Sequence, residues 1–188
     1  MKKIILFLAL IVPAVCAWAQ ADAVSANVPA KGYRGFVDLS GEALFEKKYS
    51  NDRDIVYSIS GFNTTHGYQF NENFFVGGGI GINFMTYNFM DDGARFAIDY
   101  PLFITGRADW KIGKVPLFAD LRLGTFAKSS GDYNSDKFFI NPSIGYRCSW
   151  GRRVSLNFGA GLSMHWLDGY GDGEWKMMPS VKIGIEFH

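Results

Sequence analysis

The sequence predicts an all-β fold: an eight-stranded antiparallel up-and-down transmembrane β-barrel behind a cleaved signal peptide. Three observations carry that expectation. The chain opens on a basic, then apolar leader; apolar and polar residues alternate with period two over long runs; and the polar members of those runs include closely set charges of both signs. The clearest run lies between Phe96 and Lys128. Phe96, Ile98, Tyr100, Leu102, Ile104, Gly106, Ala108 and Trp110 form one face, and Ala97, Asp99, Pro101, Phe103, Thr105, Arg107, Asp109 and Lys111 the other. Period two is strand geometry. After Ile112-Gly113-Lys114 the alternation resumes, with Val115, Leu117, Ala119, Leu121 and Leu123 opposed to Pro116, Phe118, Asp120, Arg122 and Gly124. A soluble strand is usually about five or six residues long, whereas one tilted across hydrocarbon needs roughly nine to eleven. These runs are long enough to cross.

The first element is the leader. Met1-Lys2-Lys3, the apolar run Ile4 to Val15 and the small-x-small Ala17-Trp18-Ala19 read as a secretory signal peptide over 1–19, cut before Gln20. Residues before Cys16 do not suit lipidation. Residues 20–31 are small and polar, a flexible periplasmic lead-in, and 32–188 form the barrel. Cleavage leaves one cysteine, Cys148, which rules out an internal disulfide. Its alternation partners Ile144, Tyr146 and Trp150 make it a small hydrophobe that faces lipid or packs. A net charge of +1 gives no basis for a nucleic-acid partner.

Strand one runs from about Tyr33 to Glu46, with Tyr33, Gly35, Val37, Leu39, Gly41, Ala43 and Phe45 outward and Arg34, Asp38, Ser40, Glu42 and Glu46 inward. Strand two, about Asp54 to Phe70, is less clean. Ile55, Tyr57, Ile59 and Gly61 set an apolar outer face that Asn63-Thr64-Thr65-His66 interrupts, so a bulge near Asn63 is expected to shift the register. After Asn71-Glu72-Asn73, strand three places Phe74, Val76, Gly78, Ile80, Ile82 and Phe84 outward. Its inward Gly77, Gly79 and Gly81 leave room for long side chains from neighbours; no helix follows them, so a phosphate loop is not indicated.

Strands four and five are the hairpin already described. Strand six, about Lys137 to Trp150, puts Phe138, Ile140, Pro142, Ile144, Tyr146, Cys148 and Trp150 outward, with Lys137, Asn141, Ser143 and Arg147 inward. Strand seven alternates Val154, Leu156, Phe158, Ala160, Leu162, Met164 and Trp166 against Ser155, Asn157, Gly159, Gly161, Ser163 and His165. Strand eight sends Trp175, Met177, Pro179, Val181, Ile183, Ile185 and Phe187 outward and Lys176, Ser180, Lys182 and Glu186 inward. Eight is a common even count for bacterial barrels and returns both termini to the periplasm. Such a barrel is just wide enough for side chains to fill. Trp110 and Trp150 by the inner turns, with Trp166 and Trp175 by the outer loop, form an aromatic girdle.

Taken together, the leader, the alternating strands, the Gly-rich third strand and the ending Val181-Lys182-Ile183-Gly184-Ile185-Glu186-Phe187-His188 resemble small outer-membrane β-barrel proteins. The likeness covers the mature chain. It is to the porin-like barrel-domain family typified by the outer-membrane proteins A, X and W, in its Bacteroides-type form. The resemblance implies a bacterial outer-membrane location in the cell envelope, contact with membrane lipid and lipopolysaccharide, and insertion by the barrel assembly machinery. It also implies that the terminal strand, here with Gly184 and Phe187, is the assembly signal. A monomer is expected.

The inward charges Arg34, Asp38, Glu42, Asp99, Arg107, Asp120, Arg122, Arg147, Lys182 and Glu186 are either an ion pathway or a mutually compensating network. An unpaired buried charge costs several kcal/mol, so near-equal signs in a narrow lumen favour compensation and no open pore. Ser163 and His165 share a strand face, with His66 on a distant strand; a nucleophile and base need an oriented acid beside them before they count as a site. Phe103, Phe118, Phe126 and Phe139 share the inner face and would line a cavity for small hydrophobic molecules. Pro101, Pro142 and Pro179 each remove a ladder donor, which calls for a bulge, an end position or a lateral opening. Asp91, Asp92, Asp168, Asp172 and Glu174 are too loosely spaced for a calcium site. No cofactor, metal or catalytic residue is expected. A structural or surface-interaction role leads, with a narrow transporter or binder and a lipid A-modifying enzyme as competitors.

Overall fold

The computed structural model describes residues 31–48, 53–89, 93–130, 138–150, 154–168 and 173–187. The leader, the lead-in up to residue 30, Asp91, Asp92, Asp172, the Gly151-Arg152-Arg153 turn and His188 lie outside them, as do the side chains of Asp168 and Glu174. Eight strands follow in order: β1 Gly32–Lys48, β2 Arg53–Gln69, β3 Phe74–Phe89, β4 Gly93–Ile112, β5 Val115–Ser130, β6 Phe138–Trp150, β7 Val154–Asp168 and β8 Gly173–Phe187. Each pairs antiparallel with its sequence neighbours, and β8 returns to β1 to close the barrel. Closure leaves no free sheet edge along most of the wall.

The pairing fixes the barrel's slant. From Ile98 the ladder leads through Phe84, Ser60, Gly41, Val181, Ala160, Ile144 and Ala119 to Ala108, ten residues further along the strand it left. A stagger of that kind obliges the strands to tilt, typically by about 35–45°. Strand length and closure are thus one geometric fact. The end with the short turns and both described termini is called lower here, and the loop end upper.

Alternation sorts the side chains. Leu39, Ile80, Ile104, Ile144 and Val181 point outward and are exposed, while Arg34, Phe36, Phe75, Thr105, Phe118, Ser155 and Glu186 point inward and are buried. Gly113, at φ 62°, makes the tight β4–β5 turn, a conformation only glycine adopts cheaply. Cys148 belongs to the outward series of β6 by parity, yet it is buried, so it packs and does not face outward solvent or lipid.

Strand β2 differs from the expectation. Its ladders with β1 and β3 keep one register along their whole length, with no bulge at Asn63. Ile59 and Gly61 are therefore inside, and Ser60, Phe62, Thr64, His66 and Tyr68 outside. The lower turn explains this. Asn71 Oδ1 accepts hydrogen bonds from the amides of Asn73 and Phe74, and the Asn73 amide group donates to the Asp109 carbonyl oxygen at 2.8 Å. That clamp sets the register of β2, and Asn63, Thr65 and Gln69 then reach the lumen as a set. Outside, His66 keeps its ring nitrogens occupied by the Tyr33 and Thr64 hydroxyls.

The prolines do mark irregular pairing. The β4–β5 register shifts between Asp99 and Pro101, and the β3–β4 ladder lapses between Ile80↔Leu102 and Asn83↔Asp99. The β6–β7 ladder skips from Ile140↔Met164 to Ser143↔Gly161, beside Pro142. The β8–β1 ladder ends at Ser180↔Glu42, next to Pro179.

Candidate functional site in the barrel lumen

Inward-facing residues are stacked in layers because every second residue of eight tilted strands converges on one narrow axis. In the lowest layer Arg34 of β1 is fully buried. It donates from Nε to Glu186 Oε1 at 2.8 Å and from Nη1 to Asp109 Oδ2 at 2.6 Å and Gln69 Oε1 at 2.7 Å. Arg107 reaches Asp109 Oδ1 at 2.9 Å and Asn157 Oδ1 at 2.9 Å, and Asn157 passes a hydrogen bond on to Glu186 Oε2 at 3.1 Å. Arg147 adds a third guanidinium 3.6 Å from Glu186. Six strands, β1, β2, β4, β6, β7 and β8, are tied together by this one network.

Above it lies an aromatic layer. Phe36 and Phe75 meet edge to face at 5.2 Å, and the Arg107 guanidinium sits 3.8 Å over the Phe118 ring. Such contacts attract a cation to the ring face. Phe118 fits because its neighbour at 145 has no side chain; a Cβ there would fall 2.3 Å from the ring. The next layer is again ionic. Arg122 grips Asp38 with two parallel hydrogen bonds of 3.0 and 2.7 Å, Lys182 pairs with Asp120, and Ser143 donates to Asp120 at 2.7 Å.

A fourth layer holds Ser163, His165 and Glu42. His165 stacks on Phe126 and Phe139 at ring separations of 5.9 and 6.0 Å. Its Nε2 lies 2.8 Å from Glu42 Oε2 and also 2.8 Å from Ser163 Oγ. One ring nitrogen thus faces both the acid and the serine. A base that activates a serine needs a free lone pair on the nitrogen facing it, with the acid on the other nitrogen. Ser163 and His165 are therefore together but arranged as a buried hydrogen-bonded group. His66 is on the outside of β2, away from them. The uppermost layer is apolar: Ile59, Met85, Ala97 and Met178, with Leu44 against them.

The structure places the sequence-predicted charges as follows. Arg34, Arg107, Arg147 and Glu186 share the lowest network; Asp38, Asp120, Arg122 and Lys182 share the second; Glu42 joins His165; and Asp99 is buried on the inner face of β4. Asp109 is the residue that the charge set omitted, and it bridges Arg34 to Arg107. Its parity with Arg107 on β4 was the available signal. Asn63, Thr65 and Gln69 were missed because the mixed stretch from Asn63 to His66 was read as a bulge and not as regular strand with a face to the lumen. The four phenylalanines do not line one cavity. Phe103, Phe126 and Phe139 border the fourth layer, while Phe118 lies lower among Phe36 and Phe75. The room left beside the upper three is about 30 Å³, and about 20 Å³ beside the lower. A water needs roughly 10–15 Å³ by that measure, so each space suits one or two waters and no larger ligand.

On the outer surface Trp110 sits near the lower rim, and Trp166 and Trp175 pair across β7 and β8 near the upper rim at 5.3 Å. The Trp150 side chain lies outside the described residues. Gly184 is inward, where a Cβ would fall 2.8 Å from that of Asp38, and Phe187 folds outward against Tyr33 and His66.

No protein-family model and no curated protein matches the sequence. Among solved structures, the chain is similar to neisserial surface protein A, with a TM-score of 0.54 and 11% identity over 84% of this chain and 97% of that one. An outer membrane channel from Pseudomonas putida F1 aligns with a TM-score of 0.42 and 10% identity, over 87% and 98% of the two chains. The likeness to the neisserial protein shows a shared fold, the closed antiparallel β-barrel.

Proposed function

We propose that this chain is an integral bacterial outer-membrane protein with a structural or surface-interaction role, its termini periplasmic and its lumen closed by paired charges. The observation that carries the reading is the exterior. Along β4 the outward residues Ile98, Tyr100, Leu102, Ile104, Gly106 and Ala108 lie between Phe96 and Trp110. At a rise of about 3.4 Å and a tilt of about 40° these ten steps span roughly 26 Å, against an apolar band about 25 Å tall in such barrels. A water-soluble protein does not expose a band of that extent.

Two ionic layers and the aromatic layer between them support a lumen that passes no ions, because any path would have to break buried charge pairs. That Glu42 and Ser163 share one nitrogen of His165, and do not sit on opposite nitrogens as in a hydrolytic triad, supports a role without catalysis. Outer-membrane lipid and lipopolysaccharide are then the surroundings, the barrel assembly machinery the route of insertion, and the monomer the working form. Purified protein reconstituted into planar bilayers is expected to give no steady conductance while remaining folded, as judged by its heat-dependent gel mobility. Stable channels would refute the closed lumen, and recovery in the soluble periplasmic fraction would refute the membrane placement.

A further inference from the structure

We propose that the upper seam between β1 and β8 is a lateral entry through which the end of a bilayer hydrocarbon chain reaches the apolar top layer of the lumen. The inference rests on the membrane placement proposed above. Its first support is the ladder. Among the described residues, β1–β8 pairing runs from Gly35↔Phe187 to Glu42↔Ser180 and stops, although β1 continues to Lys48 and β8 begins at Gly173. Both overhanging segments remain paired on their other sides, Ala43 to Ser58 and Pro179 to Leu162. Each is therefore ordered strand held by its other neighbour, with the backbone ladder between the two ended. Pro179, at the point where pairing ends, has no N–H to offer.

The second support is what stands on the two sides of that seam. An unpaired edge at membrane depth is tolerated where it lines a cavity or is covered by protein. Inside, Leu44 of β1 and Met178 of β8 flank the seam and pack with Ile59, Met85 and Ala97, an apolar layer in a lumen that is otherwise polar or aromatic. Outside, Met177 and Val181 are both strongly exposed on the apolar exterior. Hydrocarbon outside and hydrocarbon-like side chains inside are thus separated by a stretch of wall without a ladder. Two of the inner residues are methionines, whose unbranched side chains repack readily around a guest. The polar floor of Glu42 and His165 sets the depth, so the chain end enters and a headgroup stays out.

The test places a photoreactive benzophenone amino acid at Leu44 in one protein and at Met178 in a second, with Leu39 as an exterior control. Each is reconstituted in vesicles of dioleoylphosphatidylcholine, irradiated, and analysed by mass spectrometry of the intact barrel. Lipid adducts are expected at all three positions, and Pro179→Val, which allows the ladder to extend, is expected to abolish them at 44 and 178 but not at 39. Adducts at 39 alone in the parent protein would overturn the entry and leave an apolar stopper that only seals the lumen. Adducts at 44 and 178 that persist undiminished in a folded Pro179→Val barrel would overturn the role given to the seam. Absence of adducts at 39 would instead refute the membrane placement.

Discussion

The ring of Phe187 occupies the space that a side chain at residue 35 would fill: a Cβ on Gly35 would lie 2.4 Å from the Phe187 ring. The two residues are paired across the β1–β8 seam that closes the barrel. Gly35→Val is therefore expected to displace the ring and to cost about 1–3 kcal/mol, the usual penalty of overpacking. Combined with Phe187→Ala, the loss should be smaller than the sum of the two single losses, since contacting residues couple. Urea unfolding in detergent micelles measures this, and strictly additive losses would contradict the contact.

Glu186 stands among three guanidinium groups, 2.8 Å from Arg34, 3.6 Å from Arg147 and 3.7 Å from Arg107. Removing its charge with Glu186→Gln leaves buried cations short of their counter-ion. A destabilisation of about 3–5 kcal/mol is expected, as for breaking one side of a buried pair. A change below about 1 kcal/mol, the level of a surface pair, would show that water reaches this layer.

Gly79 and Gly106 make a paired comparison. A Cβ at 79 would fall 2.3 Å from the Phe103 ring and 2.6 Å from the Thr64 carbonyl oxygen, whereas nothing lies within 4 Å of one at 106. Gly79→Ala should cost about 1–3 kcal/mol. Gly106→Ala should be neutral or stabilise by roughly 0.4–1 kcal/mol, by restricting the unfolded chain. Equal effects at the two sites would mean that the lumen is looser than its geometry shows.

Ile104 and Ile112 are equally exposed on the outside of β4, at 64% each, but Ile104 is near mid-height and Ile112 at the lower turn. In water the two arginine variants would behave alike. In a bilayer Ile104→Arg should cost about 2–4 kcal/mol and Ile112→Arg about 0–1 kcal/mol, because the penalty follows depth. Folding equilibria in lipid vesicles decide between them, and equal penalties would argue against an embedded barrel.

The sequence by itself determined the architecture. Strands such as β4 carry alternation from Phe96 to Lys111, and the period alone assigns a face to each side chain without knowledge of any neighbour. The inward set of Arg34, Asp38, Arg107, Asp120, Arg122, Lys182 and Glu186 was legible for the same reason. The face of β2 was not. Its two parities are both mixed, Ile59 and Gly61 with Asn63 and Gln69 on one side, Ser60 and Thr64 with Phe62 and Tyr68 on the other, so local hydrophobicity cannot choose. The clamp of the Asn71 to Asn73 turn onto Asp109 chose, together with the need of Arg34 for Gln69. Tertiary structure likewise decided which charges meet. Asp109 bridging Arg34 and Arg107, and His165 turning one nitrogen to both Glu42 and Ser163, depend on how far each strand is staggered around the barrel. That stagger is a property of closure, which no single strand encodes.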